Sequence, residues 1–239
     1  MKTEYRADGI GAPLPRIEDL RLVTGKGNYA SDNFPEDLCH AVILRSPHAH
    51  ARIRAIDTSK ATAVPGVLAV LTGKDAAADA IGAIPHNPDW QGPPDAELRL
   101  PEGFDVYLTE NTPLPTEIVR YVGEGIAMIV AETAAGAADA AELVKVDYEL
   151  LPAVTDSILS MKMSAPQIWP NCPSNIALTC EVGDAEATDA AFARATHIVR
   201  FDSHIHRVTG SPMEPRAVMG EYDKEKDFYT LHAASGRGA

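Results

Sequence analysis

No apolar run in this 239-residue chain approaches the length that spans a bilayer. The opening residues, Met-Lys-Thr-Glu-Tyr-Arg-Ala-Asp, lack the apolar segment of a secretory signal. Cysteine is scarce. Cys39, Cys172 and Cys180 are scattered and form no C-x-x-C pair, which excludes a disulfide framework and favours a reducing compartment. Positive charge is short too: 21 Lys and Arg stand against 34 Asp and Glu. A formal charge of -13 leaves no basic surface for nucleic acid. No G-x-G-x-x-G opens a helix and no G-x-x-x-x-G-K-[ST] occurs, so nothing supports a nucleotide-phosphate loop. What is left is an acidic chain, 45% apolar, long enough for one large or two small domains and expected in the cytoplasm.

The chain is organised around residues 119–149. Ile126 to Ala131 is an apolar run of strand length, closed by Glu132-Thr133. Ala134 to Leu143 is too alanine-rich for a strand and long enough for about three helical turns. Thr133 stands where its hydroxyl can cap that helix. Asp139 and Glu142, three apart, share a face and mark the side toward water. Val144 to Tyr148 alternates as a half-buried strand does. If the two strands are parallel neighbours, the unit crosses over right-handedly.

Before this unit, residues 1–16 read as an arm, and Arg16 to Gly25 as a short helical turn or strand stopped by the glycine. Leu38 to Leu44 has strand character, and Ile53 to Ile56 starts a second strand beyond Pro47. Asp57 to Ala63 suits a short helix ended by Pro65-Gly66. Val67 to Leu71 reads as a buried-type strand closed by Thr72-Gly-Lys-Asp75. Residues 82–118 hold many prolines and little periodicity, as expected of a functional or docked loop. After the unit, the prolines of residues 157–175 indicate a linker. Asp184 is placed to cap a helix over Ala185 to Ala195. From Thr196 to Val208 the pattern has period two, with Val199, Phe201 and Ile205 opposite Arg200, Asp202, His204 and His206. Ala217 to Tyr222 and Phe228 to Ala233 form a hairpin around a solvated turn. The expected divisions are an arm at 1–16, a domain at 17–156, a linker at 157–175 and a second block at 176–239.

Four features could carry chemistry. His48 with His50, and His204 with His206, are H-x-H pairs; on a strand the members stand roughly 6.5–7 Å apart on one side, a spacing that can chelate zinc. Neither pair has a third ligand at metal spacing, so structural or surface histidines are the favoured reading. Glu214 and Arg216 bracket Pro215, whose fixed φ turns them apart. An arginine there can clamp a carboxylate or phosphate, but a structural turn is the simpler role. Gly123-Glu-Gly125 favours a bulge or a close approach between strands. The cysteines have no His and Asp spaced to activate a thiol, and no nucleophile–base–orienter arrangement emerges.

Several stretches together carry a resemblance. They are Arg16-Ile-Glu-Asp, Leu20-Arg-Leu-Val-Thr-Gly-Lys-Gly-Asn-Tyr-Ala-Ser-Asp32, Leu44-Arg-Ser-Pro-His-Ala-His-Ala-Arg-Ile53, Pro65-Gly-Val67 and Leu71-Thr-Gly73. Val119-Arg-Tyr-Val-Gly-Glu124, Val130-Ala-Glu-Thr133 and Val146-Asp-Tyr-Glu-Leu-Leu-Pro152 extend the set. Together they resemble the α/β-hammerhead domain in the molybdenum-binding large subunit of the xanthine dehydrogenase, aldehyde oxidase and carbon monoxide dehydrogenase family. Val182-Gly-Asp184, Ala191-Phe192 and Met213-Glu-Pro-Arg216 resemble the start of that family's molybdopterin-binding domain. The fold implied is α+β: a hammerhead followed by the incomplete start of a molybdopterin-binding α+β domain.

The resemblance implies an oxidoreductase that hydroxylates a carbon centre using water. Its cofactor is usually molybdopterin cytosine dinucleotide, and iron–sulfur and FAD subunits carry the electrons away. Later glycine-rich loops and the family's C-terminal glutamate are absent from this sequence. Where the family often has a glutamine after the strand matching Tyr229 to Ala234, this chain has Ser235-Gly236. No catalytic or metal-ligating residue is therefore assigned, and the cofactor-binding residues stay unknown. The favoured expectation is the N-terminal part of a large subunit that works with a chain supplying the remaining molybdenum domain. The alternative is a non-catalytic truncated or stand-alone hammerhead serving as scaffold or assembly module.

Overall fold

The computed structural model describes residues 16–32, 35–84, 102, 106–172, 174–206, 208–211 and 216–234. In chain order the elements are α1 (Asp19–Val23), β1 (His40–Arg45), β2 (Ala51–Asp57), α2 (Ser59–Thr62), β3 (Val67–Thr72), α3 (Gly73–Ala78), β4 (Ile118–Val119) and β5 (Gly125–Ala131). They continue with α4 (Ala134–Leu143), β6 (Lys145–Leu150), α5 (Ser157–Ser160), α6 (Ala185–Arg194), β7 (Val218–Asp223) and β8 (Phe228–Ala233). The chain divides into two compact units, Leu38–Phe201 and Met1–Asp37 with Asp202–Ala239.

In the Leu38–Phe201 unit, two antiparallel sheets run in the orders β1-β5-β3 and β4-β2-β6. The central unit of the sequence reads correctly element by element. β5 is the apolar strand, and α4 follows it with the Thr133 hydroxyl accepting from Gly136 N at 3.0 Å. Ala137, Ala140 and Ala141 bury the helix against Ala127, Ile129 and Ala131 of β5 and Ala61 of α2. Side chains this small let helix and sheet close with nothing between them, and Asp139 and Glu142 point to water. The relation between the strands is different from the expectation. β5 and β6 are not parallel neighbours, because β1 and β3 already occupy both edges of β5. β6 therefore pairs with β2 in the other sheet, and no parallel crossover exists between them.

A second core of Ala51, Val119 and Ile126, with Leu44, Ile53, Val146 and Tyr148 packed on it, ties the two sheets together. β2 begins at Ala51, earlier than the Ile53 start, and α2 ends before Pro65-Gly66, where Gly66 takes φ 80°. β3 is an edge strand with Leu68 exposed, which corrects the buried-type reading. Thr72 to Asp75 does more than close that strand. The Asp75 carboxylate accepts from the Thr72 backbone N–H at 2.7 Å and from its hydroxyl at 2.6 Å, and so opens α3, a helix the sequence reading missed. Of residues 82–118, 85–101 and 103–105 lie outside the described residues. The rest include the Ile84 to Asn111 bridge and β4.

Further along, Asp184 caps α6 through Ala187 N at 2.9 Å, as its sequence indicates. Thr196 to Val208 departs from expectation: among its described residues no strand forms. Val199, Phe201, Ile205 and Val208 are each at least 86% exposed. A period-two pattern sets which face is apolar, but a strand also needs a hydrogen-bonded neighbour. In the other unit, β7 and β8 make the expected hairpin, with Tyr222 stacked on Tyr229 and Lys226 bridging to Asp223 at 2.6 Å in the turn.

Candidate functional site

The two histidines of the first pair have different tasks. His50 is buried, and its Nδ1 lies 2.7 Å from the Pro152 carbonyl oxygen. A carbonyl only accepts, so Nδ1 carries the proton and donates. The His48 ring meets Tyr148 edge-on at 4.8 Å, while its backbone N–H donates to the buried Ser46 hydroxyl at 3.0 Å. The pair holds the β1–β2 turn against β6 and the segment after it, which is the structural role favoured from sequence. His204 and His206 lie with their rings 4.7 Å apart on an exposed segment. Among the described residues no group of three or more His, Cys, Asp or Glu side chains gathers as a metal site.

Gly123-Glu-Gly125 builds the bulge its glycines predict. Gly123 takes φ 92°, and a Cβ on Gly125 would stand 2.9 Å from Ile43 Cγ2, where the β1–β5 register shifts. Arg45 donates to the Gly123 carbonyl at 2.8 Å, and Ser46 exchanges backbone hydrogen bonds with Gly123 and Glu124, each at 2.8 Å. Inside this turn the half-buried Glu124 carboxylate accepts from the Arg120 backbone N–H. Burial raises the Glu124 pKa, opposed by that hydrogen bond and by the Arg120 charge.

Arg120 is the residue the sequence reading missed. Its guanidinium lies 3.8 Å over the centre of the Trp169 ring and donates to the carbonyls of Ile118 and Ile168, each at 3.3 Å. Burial lowers its pKa, with Glu124 and Tyr107 acting the other way. Arg120 and Glu124 are close in sequence, but Trp169 comes from the segment read as a linker, and no local pattern announces that pairing. Arg216 is exposed, while Glu214 and Pro215 lie outside the described residues. Cys172 is buried with its thiol directed to the Ile176 carbonyl at 3.5 Å. Tyr148 has a buried hydroxyl, and burial raises its pKa against the effect of the Ser46 hydroxyl. These groups brace turns and loops; none is arranged as nucleophile and base.

The comparisons with known proteins converge. The profile of the aldehyde oxidase and xanthine dehydrogenase a/b hammerhead domain matches residues 24–91 and 99–152. The chain belongs to the aldehyde oxidase and xanthine dehydrogenase family. The molybdopterin cofactor-binding domain profile matches residues 168–236 of this family member. The carbon monoxide dehydrogenase large chain of Afipia carboxidovorans is 34% identical over 238 residues, 95% of this chain and 27% of that one. The nicotine 6-hydroxylase large subunit of Paenarthrobacter nicotinovorans is 35% identical over 222 residues, 93% of this chain and 25% of that one. The solved Cu,Mo-CO dehydrogenase in its carbon monoxide reduced state superposes with a TM-score of 0.75 at 33% identity, covering 93% of this chain and 27% of that one. This xanthine dehydrogenase family chain thus spans about a quarter of the relatives it matches and resembles the N-terminal part of molybdenum hydroxylase large subunits.

The described residues were tested against the family's molybdenum cofactor. A groove of about 180 Å³ on the hammerhead is lined mainly by apolar side chains, among them Ile43, Leu71, Leu114 and Met128. So apolar a wall offers an anionic pterin phosphate few hydrogen-bond donors and no positive charge. This groove does not fit the family's molybdenum cofactor.

Proposed function

We propose that this chain is the N-terminal part of a molybdenum hydroxylase large subunit. It contributes structure and subunit interface to an oxidoreductase that hydroxylates a carbon centre with oxygen from water. The observation that carries the reading is the order of the two family matches, hammerhead and then the start of a molybdopterin-binding domain, within one chain. In this reading residues 17–156 are the hammerhead domain, 157–175 the linker and 176–239 the beginning of the second domain, preceded by the arm at 1–16.

The cofactor of the assembled enzyme is molybdopterin cytosine dinucleotide, held mostly by residues outside this chain. Electrons leave through an iron–sulfur subunit to an FAD subunit, in the cytoplasm. Relatives described as a large chain and a large subunit support the presence of other subunits. The exposed Val199 and Phe201, at the end of the Leu38–Phe201 unit, support a further partner, a chain that supplies the remaining molybdenum domain. Exposed large apolar side chains grouped on a short segment mark a contact surface.

Co-purification from the native host tests the proposal, with molybdenum measured by elemental mass spectrometry and every co-eluting chain identified. The expected result is about one molybdenum per complex, together with a chain carrying the rest of the domain. A metal-free chain eluting alone as a folded monomer would overturn it and leave a scaffold module.

A further inference from the structure

Residues 156–172 and 174–178 form a strap that is folded on itself. At its centre is Asn175, at φ 54°. Its Oδ1 accepts from Ile168 N at 3.0 Å, and its Nδ2 donates to the carbonyls of Pro166 at 2.9 Å and Ser160 at 3.1 Å. Asp156 caps α5 through Leu159 N at 2.7 Å, and Cys172 N donates to the Trp169 carbonyl at 2.9 Å. These bonds lie within the strap and give it a fold of its own, independent of the sheets.

Two ties fasten it. Tyr107 N donates to the Ala177 carbonyl at 2.9 Å, and the Tyr107 ring lies 6.3 Å from that of Trp169. The other tie is Arg120, which continues from β4 at the edge of the β4-β2-β6 sheet. Its backbone is fixed by Glu124 and its guanidinium by the Trp169 ring and two carbonyls. Neither hydrophobic core contains a residue of 156–178. The one buried apolar side chain among its described residues is Cys172, so the strap shares little with the two cores, which is the condition for a segment that opens locally while the rest stays folded.

We propose that Arg120 is a latch: clamped on Trp169 and on the Ile118 and Ile168 carbonyls, it holds the strap to the sheet edge, and its loss frees the strap without unfolding the sheets. The planar fork is essential. A lysine in its place keeps the charge but cannot stack on the ring while donating to two separate carbonyls. The strap lies between the hammerhead match and the bulk of the second match. The latch thus decides whether the chain leaves the hammerhead from a fixed point or a swinging one.

Hydrogen exchange of the full chain, read by mass spectrometry, tests this with Arg120→Lys, Trp169→Leu and the double variant. In each single variant, peptides from 160–177 should exchange about twofold to thirtyfold faster, the range a cation–π contact carries. Peptides from β5 should not change. The double variant should exchange more slowly than the product of the two single accelerations, since the shared ring–guanidinium contact is lost only once. Unchanged strap exchange in both single variants would overturn the latch, as would additive effects of the two changes. Equal loss of protection in β5 would also overturn it, marking Arg120 as a general support of the fold.

Discussion

At the residue scale, Glu124 shows how a local turn can hold a charge at a cost. Its carboxylate is half-buried, and burial is the largest influence on its pKa, which is raised from 4.5. A carboxyl whose pKa is higher in the folded state binds its proton more readily there. Its ionised form therefore weakens the fold at neutral pH, and that weakening is relieved as pH falls through the raised value toward 4.5. Glutamine at this position keeps an acceptor for the Arg120 N–H and removes the buried charge. Glu124→Gln should match or exceed the parent's urea midpoint at pH 7, and the parent should gain on the variant as pH drops to about 5. A parent that instead lost ground over that interval would reverse the assignment. Asp75 has the opposite sign. Hydrogen bonds from Thr72 hold it below 3.8, so its contribution is present above that range and is lost beneath it. The two effects occupy different windows of pH.

At the scale of elements, legibility followed locality. α4, its Thr133 cap, α6 with Asp184 and the β7–β8 hairpin were readable because their causes lie within a few residues. The joining of Arg120 to Trp169 was not readable, nor was the assignment of β5 and β6 to separate sheets, because both depend on partners distant in sequence. α3 was missed for another reason: Thr72-Gly-Lys-Asp75 reads as a turn, and only the reciprocal bond from Asp75 makes it a helix start. Two substitutions in α4 separate its cap from its packing. Thr133→Ala should cost about 1 kcal/mol through the lost bond to Gly136 N. Ala140→Leu should cost about 1–3 kcal/mol, because the buried face has no room for it. Denaturant unfolding measures both, and a tolerated leucine would mean that helix and sheet are less closely packed than the structure shows.

For the whole molecule, the contrast is between the packed cores of the hammerhead and the exposed apolar side chains of Val199 and Phe201. The hammerhead was identifiable because its motifs recur through most of the chain. The residues that act on a substrate were not, since none of the described groups forms a reacting arrangement. If Val199 and Phe201 meet another chain, the double change Val199→Ser and Phe201→Ser should weaken capture of that chain at least about tenfold. The same change should leave the thermal midpoint of the isolated protein nearly unmoved, because both side chains are already exposed. A large fall in the midpoint would show that the pair is packed within the chain's own fold.

The central position of β5 has a consequence in time. Its neighbours β1 and β3 precede it by a long stretch of chain, and β5 joins them only when residues up to Ala131 are available. On the ribosome, two apolar strands emerge and wait, each with unsatisfied edges, while the proline-rich 82–118 segment is still being made. The first sheet closes late, when β5 slides between β1 and β3. Until that moment the nascent chain is most exposed to mispairing and most in need of protection.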